Sequence, residues 1–153
     1  SKDGLELMPA TTFLDDLLPS AGHVCGPKPA KRLSEDAAFG FKIAKEMSRL
    51  DIGQTVIIKK GTVLAVEAFE GTNEAIKRGG GLGRGEAVVV KVSKPGQDLR
   101  FDVPCIGPDT IDIAAASSVS AIVVEANKTL LLGKDQIEES AEKNKVTVIA
   151  YEE

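Results

Sequence analysis

Apolar residues along the chain fall into two rhythms, one helical and one extended. Phe39, Ile43, Met47 and Leu50 recur at spacings of four, four and three, which predicts a helix from about Ser34 to Leu50. Ser34 is its expected N-cap, Glu35 and Asp36 suit the positive end of its dipole, and Asp51-Ile52-Gly53 ends it. Thr55–Lys59 and Thr62–Ala68 are rich in Val and Ile and flank Lys60-Gly61, so a β-hairpin is expected there. The unbroken Val run in Ala87–Val92 predicts a buried strand. Asp109–Ser117 reads as a helix capped by Asp109, and Lys134–Asn144 as another. Ala121–Glu125 and Thr129–Leu132 read as a second hairpin turning at Asn127-Lys128, and Val146–Tyr151 as a last strand.

The remaining stretches are punctuated by breakers. A short helix is expected over Thr12–Leu18, capped by Thr11 or Thr12 and stopped by Pro19. Gly22 to Pro29 holds two Gly and two Pro and is expected to be a loop. Thr72 is placed to cap a short helix, Asn73–Arg78, and the glycine run Gly79–Gly85 is then expected to be a loop. The total is about six strands and four or five helices. Hairpins mixed with crossovers predict an α/β fold with a mixed sheet.

Composition narrows the function. At 153 residues the chain fits one domain. Such a domain hides roughly two thirds of its unfolded surface and needs no disulfide or metal staple. With no Trp and one Tyr, the core must be Val, Ile, Leu and Ala. A net charge of −4 argues against a nucleic-acid partner, which calls for clustered Lys and Arg. Cys25 and Cys105 match no metal or redox spacing, and Cys105, before Ile106, is expected in the core. His23 stands alone, which rules out a multi-His metal site. No apolar run is long enough to span a bilayer, and the cytosol is the expected compartment. Ser1 is not an initiator Met, so an upstream portion is expected.

Candidate chemistry gathers in two blocks. From Lys91 to Asp102 a buried strand ends and delivers Lys91, Lys94, Gln97, Asp98, Arg100 and Asp102. In an extended chain Asp98, Arg100 and Asp102 share one side. Two carboxylates can hold Mg²⁺ together with substrate phosphates, and Lys and Arg neutralise phosphate oxygens. The set suits phosphoryl or pyrophosphate chemistry; the alternative is a solvated Asp–Arg–Asp ladder. In the second block Glu67 ends a strand, Gly71-Thr72 opens a helix whose first N–H groups can bind an anion, and Glu70 is placed to act as metal ligand or base. A strand-end turn with a capping Thr is the alternative there. The glycine run fits neither the dinucleotide fingerprint nor the phosphate loop, and reads as a hinge, a lid or a plain loop.

These residues resemble those of the C-terminal domain of LpxI-type UDP-2,3-diacylglucosamine pyrophosphatases of lipid A biosynthesis. Carrying the resemblance are Asp51-Ile52-Gly53-Gln54, Leu64–Ala68, Glu70-Gly71-Thr72, Lys94–Pro104, Ile106–Thr110 and Val124-Glu125-Ala126. The resemblance implies hydrolysis of the substrate's diphosphate to UMP and 2,3-diacylglucosamine 1-phosphate (lipid X), with Mg²⁺ or another divalent cation. It implies that residues 1–20 link an absent N-terminal domain to a catalytic domain over 21–153. A homodimer in the full-length form, with a peripheral place on the inner membrane, follows from the same resemblance. It implies Asp98 as the catalytic carboxylate, with Asp102 in support and Asp98, Asp102 and Glu70 as metal ligands. Lys91, Lys94, Gln97, Arg100, Glu67, Gly71 and Thr72 become substrate contacts. Asn73 stands where Asp is expected, which removes a negative charge there. The alternative function is a non-catalytic nucleotide- or phosphate-binding or assembly module.

Overall fold

The computed structural model describes residues 8–96 and 102–153. Gln97, Asp98 and Arg100 lie outside the described residues, so the predicted alternation of Asp98, Arg100 and Asp102 does too.

A mixed six-stranded sheet organises the chain. Its strands are β1 (Gly22–Cys25), β2 (Thr55–Lys59), β3 (Thr62–Val66), β4 (Ala87–Lys91), β6 (Val119–Glu125) and β8 (Thr147–Tyr151), in the order β1-β8-β6-β4-β2-β3. The central β8, β6 and β4 are parallel, while β2, β3 and β1 attach antiparallel at the flanks. Helices cover both faces. Helix α1 (Leu33–Arg49) packs on Val56, Ile58, Val88, Val90, Ala121 and Val123. Helices α2 (Thr72–Gly83), α3 (Pro108–Ala116) and α4 (Lys134–Asn144) cover the other face, over Ile57, Val89, Ile122, Val124 and Val148. Alternate residues of β4 thus enter different cores. A strand buried on both faces reads as an unbroken apolar run, as the Val run predicts.

The first hairpin, β4, α4 and β8 stand where the pattern places them. Other expectations are corrected. Gly22–Cys25 is a strand, because pairing with β8 overrides its turn-like composition; a bulge between His23 and Cys25 accommodates it. The expected Thr12–Leu18 helix is only a 3₁₀ turn, Asp15–Leu17. Ser34 lies inside α1 and donates back to the Lys31 carbonyl at 2.9 Å instead of capping. The buried stripe of α1 is Leu33, Ala37, Phe41, Ala44 and Met47, rotated from the predicted one, and Leu50 is exposed. Gly107, not Asp109, is the N-cap of α3. The predicted second hairpin does not form: β7 (Leu130–Leu131) pairs in parallel with β5 (Cys105–Ile106). Cys105 is exposed, because it takes the outward side of that two-residue ladder while Ile106 turns in.

The largest departure is α2, which runs through the glycines to Gly83. Glycine weakens a helix in isolation. Here its missing side chain is what allows the packing. A Cβ on Gly79 would sit 2.5 Å from Cβ of Ile57 on β2, and one on Gly80 would sit 2.2 Å from the Ser117 carbonyl oxygen after α3. The glycine face lets α2 lie on the sheet at backbone distance.

Candidate active site

The parallel strands of an open α/β sheet present ligand sites at their carboxyl ends. Here that edge is built from Lys91 at the end of β4, Glu125 at the end of β6, Thr55 at the start of antiparallel β2, and Glu67 just after β3. Thr55 lies opposite Lys91 in register, and the Glu67 N–H donates to the Thr55 carbonyl at 2.8 Å. Four polar side chains from separate parts of the sequence therefore meet because the strands that carry them end at one level.

Helix α2 starts beside them. Gly71 has φ +83°, a left-handed conformation that costs glycine little, and it turns the chain from Glu67 into the helix. Thr72 is the first residue of the helix and not its cap. Its hydroxyl instead donates to Glu67 Oε1 at 3.0 Å, contacts Thr55 Oγ1 at 3.3 Å, and accepts from Lys91 Nζ at 3.2 Å. Glu67 is buried, and its Oε2 accepts from the Gln54 N–H at 3.3 Å. Gly53 permits this approach, since a Cβ there would fall 2.1 Å from the Glu67 carbonyl oxygen. The side-chain oxygen Oε1 of Gln54 is buried without a hydrogen-bond partner among the described residues.

Lys91 is the central cation. Burial holds its pKa below the usual lysine value, opposed by the negative charges of Glu67 and Asp102. Lys94, three residues on, donates to Asp51 at 2.6 Å. That bond holds the Lys94 pKa above its ordinary value, with Asp102 and Glu67 adding to the effect. The structure thus brings together Glu67, Gly71, Thr72 and Lys91 of the predicted set, with Lys94 and Asp102 within electrostatic reach of them. Glu70 is turned elsewhere: it is ion-paired with Arg78 Nη2 and accepts the Ala68 N–H at 3.1 Å.

Chemically, the edge offers ammonium groups and the first N–H groups of α2, which have no partner within the helix. Such an arrangement binds phosphate oxygens. Among the described residues no group of three or more acidic, His or Cys side chains is spaced to hold a metal ion. Mg²⁺ commonly takes only one or two carboxylates and completes its shell with water and phosphate oxygens. Asp102 is exposed and within electrostatic reach of Lys91 and Lys94.

Sequence reasoning gave no role to a second polar cluster at the same edge. Glu125 is buried at the end of β6 and binds Lys45, Ser93 and Lys128. The available signal was the one that singled out Lys91: a charge ending a wholly apolar strand. Thr55 was missed as well, and nothing in its local pattern separates it from an ordinary strand-start residue; Gln54 helped carry the resemblance but was given no role.

Comparison with known proteins bears on this edge. Residues 20–149 match the family model described as the LpxI C-terminal domain. The chain is 35% identical, over 144 aligned positions, to the UDP-2,3-diacylglucosamine pyrophosphatase LpxI of Caulobacter vibrioides, covering 89% of this chain and 51% of that protein. A second likeness, 28% identical over 106 positions, is to the 1-deoxy-D-xylulose-5-phosphate synthase of Psychromonas ingrahamii; it covers 69% of this chain and 15% of the synthase. The chain therefore spans about half the length of the first relative and a small part of the second.

Proposed function

This chain belongs to the LpxI C-terminal domain family, and from that premise we propose that it is the catalytic domain of a UDP-2,3-diacylglucosamine pyrophosphatase. The reaction joins water to one phosphorus of the diphosphate and breaks the P–O–P bridge. UMP and 2,3-diacylglucosamine 1-phosphate leave. The observation that carries the reading is the cationic edge at the head of α2, where Lys91 donates to Thr72 beside buried Glu67. Phosphoryl transfer is catalysed largely by positioning and charge stabilisation, which this edge is equipped to supply.

Lys91, Lys94 and Arg100 are the proposed diphosphate contacts, with the Gly71-Thr72 helix start and Gln97. Asp98 orients or deprotonates the attacking water, and Asp102 supports it. Glu67 holds Thr72 in place. Mg²⁺, held by Asp98 and Asp102, would screen charge on the diphosphate. Glu70 would have to leave Arg78 to join them, so it drops out of the proposed ligand set. The acyl chains call for an apolar cleft shared with a further domain of the protein, and a homodimer peripheral to the cytoplasmic face of the inner membrane completes the proposal. No described helix is long and apolar enough to cross a membrane.

The test is UMP release from UDP-2,3-diacylglucosamine with Mg²⁺, comparing the full-length gene product, this chain alone, and full-length Asp98→Ala. Turnover by the first, with a loss of at least about a thousandfold in Asp98→Ala at unchanged melting temperature, is the expected result. Silence of the full-length protein across several divalent metals would replace the enzyme with a nucleotide- or phosphate-binding module. The coverage of only half the Caulobacter relative keeps that second reading in play for the isolated chain.

A further inference from the structure

Glu125 has a feature that a merely stabilising residue does not need. Its carboxylate gathers partners from three separate parts of the chain. Lys45 of α1 donates to Oε1 at 2.8 Å and to Oε2 at 2.6 Å. Lys128, in the turn after β6, donates to Oε1 at 2.8 Å. Ser93, two residues past β4, donates to Oε2 twice, from its backbone N–H at 2.7 Å and its hydroxyl at 2.8 Å. Lys45 also donates to the Ser93 carbonyl at 3.0 Å and to its hydroxyl oxygen at 3.3 Å. Every polar group of Ser93 is therefore held. Buried ion pairs are commonly no more stabilising than apolar residues of the same volume. What this network supplies is direction: it fixes the course of the chain at the residue that precedes Lys94.

The far side of that connection is fixed independently. The Leu130 N–H donates to the Pro104 carbonyl and the Leu132 N–H to the Ile106 carbonyl, each at 2.9 Å. Glu125 thus governs the near side. We propose that Glu125 is a positioning residue of the candidate active site, acting through Ser93 to place Lys94 beside Asp51. The functional half of this inference rests on the pyrophosphatase reading; the anchoring half does not.

The experiment uses the full-length gene product in three forms: unsubstituted, Glu125→Gln, and Lys45→Met/Glu125→Met. In Glu125→Gln the amide nitrogen faces donors at either oxygen position, so the network breaks with little change in volume. The double Met variant removes the Lys45–Glu125 pair together, leaves the half-exposed Lys128 to solvent, and is expected to keep the fold. Two readouts are taken beside the melting temperature: amide hydrogen exchange at Ser93 and Lys94, and kcat and KM for UMP release. In the double variant, exchange at Ser93 and Lys94 rises about tenfold or more while Val88–Val90 keep their rates. Turnover falls about thirtyfold or more even where the melting temperature is regained. Unchanged exchange, or turnover that returns together with stability, overturns the proposal. Failure of the unsubstituted protein to release UMP removes the pyrophosphatase reading and with it the functional half, while the exchange result still decides the anchoring.

Discussion

The two ends of the central strands both collect charge, and they use it differently. At the amino end of β4, Glu86 pairs with Lys60 at 3.1 Å, with both side chains more than half exposed. Asp36, buried beside them, accepts the N–H groups of Lys60 and Gly61 at 3.2 and 2.8 Å and so holds a single hairpin turn. These residues rim an open hollow of about 290 Å³ with Lys28, Arg32 and Lys145. At the carboxyl end the carboxylates of Glu67 and Glu125 are buried; Glu67 ties the residue before β2 to the head of α2, and Glu125 joins segments 80 and 32 residues away. An exposed pair contributes little to stability, whereas a buried one whose partners are removed is costly. One end of the sheet is ordinary surface with a braced turn; the other is held at fixed distances by groups expensive to bury.

Three substitutions sharpen that contrast, in descending order of effect. Lys91→Met removes the cation at the head of α2. Turnover is expected to fall about a thousandfold in the full-length protein. Stability should hold or rise, because burial already disfavours the charged form of Lys91. Steady-state kinetics beside thermal unfolding separate the two, and equal loss of both would make Lys91 structural.

Glu125→Ala comes next, leaving Lys45 without its buried counter-charge. The expected cost is about 3 kcal/mol in urea unfolding. The pH dependence follows from the direction of the shift. Burial alone would raise the Glu125 pKa, but the bonds from Lys128, Lys45 and Ser93 outweigh it and bring it from 4.5 to about 2. A depressed carboxylate contributes stability that is complete above its unfolded value and is lost as pH falls toward its folded one. Between pH 4.5 and about 2, then, the unsubstituted protein should lose stability more steeply than the variant. Parallel unfolding curves across that range would contradict the assignment.

Glu86→Gln is the smallest. Its partner Lys60 is exposed, and the pair is screened by water and salt. The unfolding midpoint is expected to stay where it was. A clear drop, comparable to that of Glu125→Ala, would erase the distinction between the two ends.

How much of this was legible in the sequence follows from range. The first hairpin and α4 are set by local alternation, turn chemistry and helical period, and they stand where those signals put them. The Val run of β4 announced a strand buried on both faces. Elements defined by a partner were misread. Gly22–Cys25 becomes a strand only beside β8, and Leu130–Leu131 pairs with β5 in place of its sequence neighbour β6. The stripe of α1 was displaced because Ala37, Ala44 and Gly40, small residues that carry little hydrophobic signal, form much of its buried face. At the site, Lys91, Thr72 and Glu67 were visible as polar groups ending apolar strands or opening a helix. Glu125 obeyed the same rule, but its partners Lys45 and Ser93 lie 80 and 32 residues away, and no local pattern links them.

The glycine face of α2 has a consequence for how change elsewhere would reach the site. Gly79 stands seven positions after Thr72, roughly 10 Å along the helix axis. With backbone resting on Ile57, there is no side chain at Gly79 that can repack to absorb a displacement. One methyl group there would lift the helix as a rigid bar and carry Thr72 away from Lys91. In a library of random variants, these glycines should therefore surface among the silencing positions although they touch no substrate, like a shim whose thickness sets the aim of a distant tool.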